Sequence, residues 1–314
     1  MFTVLGYPAP LLFGQVLLGL INGAFYALLS LGLAVIFGML NIVNFAHGAL
    51  FMMGAFVAWM MLAPNTWLAM IDPALHVPDW LSLPYWPALI IAPFIVGLFG
   101  LVMERTIIRR LYGLDNIYGL LLTFGVALII EGLFRNAFGS SGMPYAIPAQ
   151  LTGAWNLGFM FMPIYRGWVV IAALVVCLGT WLLIEKTPLG ARLRAATENA
   201  ALVQAFGVNV PRMISLTYAG GVALAAFAGV LAAPIYSVNP NMGSNFIITV
   251  FAVVVIGGMG SILGSVVTGF MLGVVEGLTK VVYPQASATV IFVIMVVVLL
   301  ARPAGLFGRE GLAR

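Results

Sequence analysis

The stretch GWVVIAALVVCLGTWLLI, Gly167–Ile184, runs for 18 residues without a charge. A helix of roughly 20 mostly apolar residues is what crosses a bilayer, and the rest of the chain repeats the pattern. Of 314 residues, 63% are hydrophobic and 7% charged, where an ordinary soluble domain is about 45–50% apolar. Mean hydropathy is +1.14. A soluble protein of this length cannot hide so much apolar surface, so the excess faces lipid.

Working outward from Gly167–Ile184, further candidate spans fall at about 11–38, 42–63, 85–103, 116–136, 213–233, 246–257, 262–279 and 286–301. The expected fold is an all-α integral membrane protein, a bundle of eight or nine transmembrane helices in a single domain over 1–314. The count turns on GMLN (Gly38–Asn41) and GGMGS (Gly257–Ser261), each of which reads as a tight turn or as a break within one helix. The first ten residues hold no Lys or Arg, so the start does not look like a cleaved signal peptide, and the first apolar run is expected to stay in the membrane.

Loop charge sets the sides. Arg105, Arg109 and Arg110, then Lys186, Arg192, Arg194 and Arg212, then Arg302, Arg309 and Arg314 mark cytoplasmic segments, including the C-terminus. Segments 64–84 and 234–245 carry no Lys or Arg and read as external, with Arg135, Arg166 and Lys280 as minority positives there. Nine crossings put the N-terminus outside, eight put it inside. Trp67, Trp80, Tyr85 and Trp86 form an aromatic belt near the outer edge. The external loop 137–166, rich in Gly and Pro, is either a plain surface loop or a dock for an extracytoplasmic protein.

The net charge of +4 is what short orienting loops produce, and no Arg/Lys face with interleaved aromatics points to nucleic acid. The lone Cys177 forms no internal disulfide, and no His/Cys cluster suggests a metal.

Directly after Gly167–Ile184 the character changes. EKTPLGARLRAATENAALVQAFGVNVPR, 185–212, holds six of the 22 charged residues. Thr187 can cap a helix, Pro188 suits its first position and Gly207 the residue past its end. Leu189, Leu193, Ala196, Ala200 and Val203 form one apolar row, with Arg192, Arg194, Glu198 and Gln204 off it. This predicts one short amphipathic helix, too polar to cross lipid. It either rests on headgroups or serves as a lever gripped by a cytoplasmic protein.

At these residues the chain resembles a known family. TPLGARLRAATENAALVQAFGVNVPR is similar to the large cytoplasmic loop of permeases in branched-chain amino-acid ABC transporters, the LivH type. So are GMLNIVNFAHGALFMMGAF (Gly38–Phe56), GVLAAPIYSVNPNMG (Gly229–Gly243), VIGGMGSILGSVVTGFMLGVVEGL (Val255–Leu278) and RPAGLFGRE (Arg302–Glu310), in the family's order. The resemblance implies that 187–207 is a coupling helix that docks on a cytoplasmic ATPase, with Leu189, Arg192, Arg194, Glu198 and Gly207 as its candidate coupling residues. The broader importer pattern is Glu-Ala-Ala with a nearby glycine. Here Asn199 follows Glu198, and Gly207 lies nine residues on.

The resemblance also implies two ABC ATPase subunits, a second related permease chain, an extracytoplasmic substrate-binding protein and a bacterial cell-membrane location. ATP and Mg would sit on the ATPases, and no Walker A sequence GxxxxGK[ST] occurs in this chain. GMGSILG (Gly258–Gly264) has GxGxxxG spacing and reads as a turn with close helix packing. The implied cargo is branched-chain or other hydrophobic amino acids, with urea or short amides as the alternative. Many relatives carry a glutamate directly after the NFAHG string, where this chain has Ala49.

Two rows of small residues, Gly269/Gly273/Gly277 and Gly221/Ala225/Gly229/Ala233, predict close helix packing, within the chain or toward a second permease chain. Polar residues in apolar runs point to a substrate route. Asn41, Asn44 and His47 fall three apart, as on one helix face, and Asn22 lies in the first span. His47 is read as a helix–helix hydrogen-bonding group or a substrate contact. Glu131/Arg135 and Glu276/Lys280 are four apart, as local pairs or as the acids of an ion-coupled carrier. Ser140 and Ser141 in an external loop make a shielded hydrolase site with His47 a poor reading.

Overall fold

The computed structural model describes residues 3–4, 7–40, 43–158 and 160–308. Its helices are α1 (Ala9–Leu40), α2 (Ala46–Leu62), α3 (Pro64–Ile71), α4 (Tyr85–Thr106), α5 (Asn116–Phe138), α6 (Ile164–Lys186), α7 (Pro188–Glu198), α8 (Ala200–Ala205), α9 (Val210–Tyr236), α10 (Met242–Gly257), α11 (Ile262–Val282) and α12 (Val290–Ala301). Two antiparallel ribbons accompany them, β1 (Thr3–Val4) with β2 (Tyr7–Pro8), and β3 (Ala154–Asn156) with β4 (Phe161–Pro163).

Each of the nine apolar segments contains one of these helices. Among the described residues, α1, α4, α5, α6, α9 and α11 are long and apolar enough to cross a membrane. A seventh span results if α2 is taken with α3, from which it bends by 99°. Helices α10 and α12 have 16 and 12 residues. At 1.5 Å per residue they reach about 24 and 18 Å, against a hydrocarbon core of about 30 Å. Ile90, Phe94, Ile129, Leu133, Val175 and Leu300 are exposed, as lipid-facing side chains are. The chain is a multi-span helical membrane protein.

It folds as two compact units drawn from alternating segments. The first comprises Met1–Ala34, Ala149–Ala191 and Ile248–Arg314. Its core is the antiparallel crossing of α1 and α11. A Cβ on Gly23 would lie 2.9 Å from Phe270 Cα, and one on Gly269 would lie 2.6 Å from Ala27 N. A Cβ on Gly273 would meet the Gly19 and Gly23 backbones, and one on Gly277 the Gln15 carbonyl. The GxxxGxxxG row therefore lies along a seam within one chain, where bare backbones approach closely. Ser30 Oγ donates to the Ser265 carbonyl at 3.1 Å, and Tyr26 donates to Glu276 Oε2 at 2.7 Å.

The GGMGS segment is a turn between two helices. Gly258 and Gly260 take φ of +99° and +82°, values that favour glycine. The tail after α12 returns to this turn: Leu306 N donates to Ile256 O at 2.8 Å and Phe307 N to Gly257 O at 3.2 Å. Carbonyls left open at the end of α10 are thus satisfied.

The second unit comprises Val35–Pro148 and Arg192–Ile247. Helix α2 is buried nearly all round and packs on α9. A Cβ on Gly54 would lie 2.5 Å from Ala226 Cα, and one on Gly229 would meet the Phe51 carbonyl. Helix α4 packs on the same α9, with Gly100 against Val222 and Gly97 against Ala223. The GMLN stretch ends a helix: α1 stops at Leu40 and α2 starts at Ala46.

The α1–α11 seam has a direct test. Gly273→Val drives a branched side chain into the α1 backbone and should cost about 1–3 kcal/mol or more of stability. Gly179→Ala on α6, where nothing lies within 4 Å, is the control. It should be neutral or up to about 1 kcal/mol stabilising. Thermal unfolding of the detergent-purified chain reads both, and equal midpoints would mean the seam tolerates separation.

Candidate functional site

The break between α1 and α2 places polar groups in the interior of the second unit. Non-helical backbone at membrane depth must find its partners in the protein. Here α5 supplies one: Thr123 Oγ1 accepts from Phe45 N at 3.1 Å and lies 3.2 Å from the Val43 carbonyl oxygen. Asn44 supplies others. Its Oδ1 accepts from Ala46 N at 3.1 Å, its carbonyl accepts from His47 N at 3.2 Å, and its Nδ2 donates to the Tyr218 hydroxyl of α9 at 2.8 Å. Asn44, His47, Thr123 and Tyr218 are each at most 1% exposed. The result is a buried polar cluster at a helix break, where broken spans of transporters place their binding groups.

Asn44 and His47 do not share one helix. Asn44 lies in the break, and its side chain serves the first turn of α2, which displaces the i, i+3 relation with His47. Asn41 lies outside the described residues. His47 is buried in the first turn of α2. Asn22 is half-buried on α1 in the first unit. Tyr218 and Thr123 went unread, because a lone Tyr or Thr in an apolar helix carries no local signal of a distant bond.

The segment expected as one amphipathic helix over 187–207 is two, α7 and α8. They break at Asn199, whose Oδ1 accepts from Leu202 N at 2.9 Å and caps α8. Thr187 does not cap forward. Its hydroxyl bonds back to the Leu183 carbonyl at the end of α6. The break re-phases the apolar row: Leu193, Ala196 and Val203 are buried, whereas Leu189 and Ala200 are exposed. Ala196 and Val203 pack with Val210 at the start of α9. Gly207, at φ +82°, ends α8 as expected. Arg192 and Glu198 are exposed and Arg194 is half-exposed, and Leu202 and Phe206 add large apolar side chains to the open surface.

Both spaced acid–base pairs reach beyond their own helix. Lys280 Nζ lies 2.6 Å from Glu276 Oε1, as i, i+4 spacing predicts, and Tyr26 turns that local pair into an interhelical tie. Arg135, which faces Glu131 electrostatically, also donates to Asn241 Oδ1 at 2.7 Å.

Comparison with known proteins completes this picture. Residues 15–300 match the family model described as "Branched-chain amino acid transport system / permease component". The chain is similar to the high-affinity branched-chain amino acid transport system permease protein BraD of Pseudomonas aeruginosa, 31% identical over 94% of this chain and 95% of that one. It is 28% identical to the protein of the same description, LivH, of Escherichia coli K12, again over 94% and 95%. The autoinducer 2 import system permease protein LsrD of Salmonella paratyphi B is 27% identical over 72% of this chain and 70% of its own. No solved structure matches.

The buried Asn44–Tyr218 bond sets the expectation for this cluster. Tyr218→Phe removes the acceptor and leaves an amide N–H unsatisfied, which should cost about 1–3 kcal/mol. Unfolding of the purified chain measures it. No loss would mean that another group already satisfies Asn44.

Proposed function

The chain belongs to the family of branched-chain amino acid transport system permease components, and on that footing we propose that it is the membrane-spanning subunit of an ABC importer. The cargo is a branched-chain or other hydrophobic amino acid. The match over residues 15–300, nearly end to end, carries this reading, and the names printed for BraD and LivH support the cargo class. LsrD belongs to an import system for a different small molecule, so the scaffold alone does not dictate cargo.

In this reading the chain crosses the bilayer eight or nine times, with α10 and α12 completing the bundle and the C-terminus in the cytoplasm of a bacterial cell. A secreted binding protein delivers the amino acid from outside. Two cytoplasmic ATPases grip α7 and α8, and a second permease chain completes the pathway. ATP closes the ATPases and hydrolysis resets them. They shift a bundle with two states by binding one state more tightly than the other. Asn22, Asn41, Asn44 and His47 are the proposed polar groups of the route. Neutral amides and an imidazole can pass a zwitterion without holding it. Leu189, Arg192, Arg194, Glu198 and Gly207 are the proposed coupling residues, and the exposed Leu202 and Phe206 beside them suit a protein groove.

The decisive experiment reconstitutes the chain with its transport-system subunits in vesicles. Arg194→Glu should leave the chain inserted and lower ATP-driven uptake by about tenfold or more, the scale of a lost interfacial charge. Undiminished uptake would remove α7 from the coupling role. Uptake driven by an ion gradient without nucleotide would overturn the reading as a whole.

A further inference from the structure

Glu104, two residues before the end of α4, is completely buried. A carboxylate there demands donors, and three side chains supply them. Ser215 Oγ donates to Oε2 at 2.6 Å, Tyr112 OH to Oε1 at 2.8 Å, and Arg109 Nε lies 3.3 Å from Oε1. Burial, with Glu104 beside it, pushes the Tyr112 phenol well above its ordinary value, so it remains a donor. Arg109 Nη2 extends the network, donating to Ser215 Oγ at 2.8 Å and to the Pro211 carbonyl at 3.2 Å. An apolar cluster of the same size would pack these helices at least as stably, since a buried ion pair is weak evidence for stability. What the network adds is a fixed register between two elements.

Those elements stand at one end of a continuous path. Ala196 of α7 and Val203 of α8 pack on Val210, the first residue of α9. Pro211 and Ser215, one turn later, are held to α4 by Arg109 and Glu104. Tyr218 follows Ser215 by three residues, on the same side of the helix, and bonds Asn44 in the break before α2. Beside α7, a cleft of about 220 Å³ lined by Leu111, Tyr112, Asp115, Ala196, Thr197 and Ile214 leaves the short helices room to shift against this joint.

We infer that Glu104 is a positioning residue of the transport cycle: through Arg109 and Ser215 it locks the first turn of α9 to α4, so that displacement of α7 and α8 reaches Tyr218 and Asn44. This rests on the transport reading above. A coupling measurement tests this path.

The measurement uses the full transporter in vesicles and reads cargo moved per ATP hydrolysed, normalised to assembled complex. Glu104→Gln should keep hydrolysis within about twofold and lower cargo per ATP about tenfold, within the usual range of coupling between sites. Arg109→Lys keeps a charge at a half-exposed position but loses the planar fork. It should shift the same ratio in the same direction by less, which covers the case of a poorly folded Glu104→Gln. Uptake and hydrolysis falling in proportion overturns the positioning role. So does a drop in assembled complex with an unchanged ratio, since that is what a merely structural residue gives. Wild-type uptake indifferent to ATP would instead overturn the transport reading and this inference with it.

Discussion

Inside hydrocarbon, a peptide N–H or C=O without a partner costs several kcal/mol, and everything in this fold follows from that. The rule allows long helices freely and allows a break only where side chains or another strand of backbone close it. At the end of α1 the closing groups are Thr123 and Asn44, which together meet Val43, Phe45 and Ala46. At the turn after α10 the closing group is the tail itself, whose Leu306 and Phe307 amides meet the last carbonyls of the helix. The same rule explains the glycine seams. Once backbones are satisfied within their own helices, attraction between helices rests on contact, and Gly23 with Gly273 or Gly54 with Ala226 brings main chain to main chain.

Legibility in the sequence tracks how local each cause is. Apolar composition over 20 residues is local, and all nine apolar segments contain a helix. Their number of crossings is less legible, because α10 and α12 are as apolar as the rest but shorter than the core they face. Gly207 could be read as a helix stop because its positive φ needs no distant contact. The stop at Asn199 was hidden: asparagine suits an exposed helical face by pattern, and only its bond to Leu202 N shows it as a cap. In the polar cluster Asn44 stands out as an amide among apolar neighbours. Its partner Tyr218 lies 174 residues away, a distance over which periodicity carries no information.

Two buried acids show how the same rule becomes a joint. Glu276 sits in the α1–α11 seam and accepts from Lys280 on its own helix and Tyr26 on the other. Glu104 sits where α4 meets α9 and accepts from Ser215, Tyr112 and Arg109. In each case the acid's two oxygens are both engaged, and at least one donor comes from the facing helix. A charge so placed permits one register between two helices and penalises every other, because sliding by a turn strands the carboxylate. An apolar seam has no such preference.

That contrast sets where this chain can bend. The α1–α11 and α4–α9 seams have glycine contacts fixed by a buried acid, and α2 is closed in by α9. Among the described residues α7 has one such glycine, Gly190 against the Ile184 backbone, and no buried acid beside it. Helices α7 and α8 are joined to their neighbours through Thr187, Asn199 and the turn at Gly207, bury three side chains between them in Leu193, Ala196 and Val203, and keep an open cleft alongside. In the transport cycle proposed above, a force applied to α7 and α8 is taken up first at these hinges. It reaches the base of α9 through Val210, where the Glu104 network holds that helix to α4. Asn44, Glu104 and Glu276 are buried and hold backbone or helix register, a positional role that apolar packing does not specify.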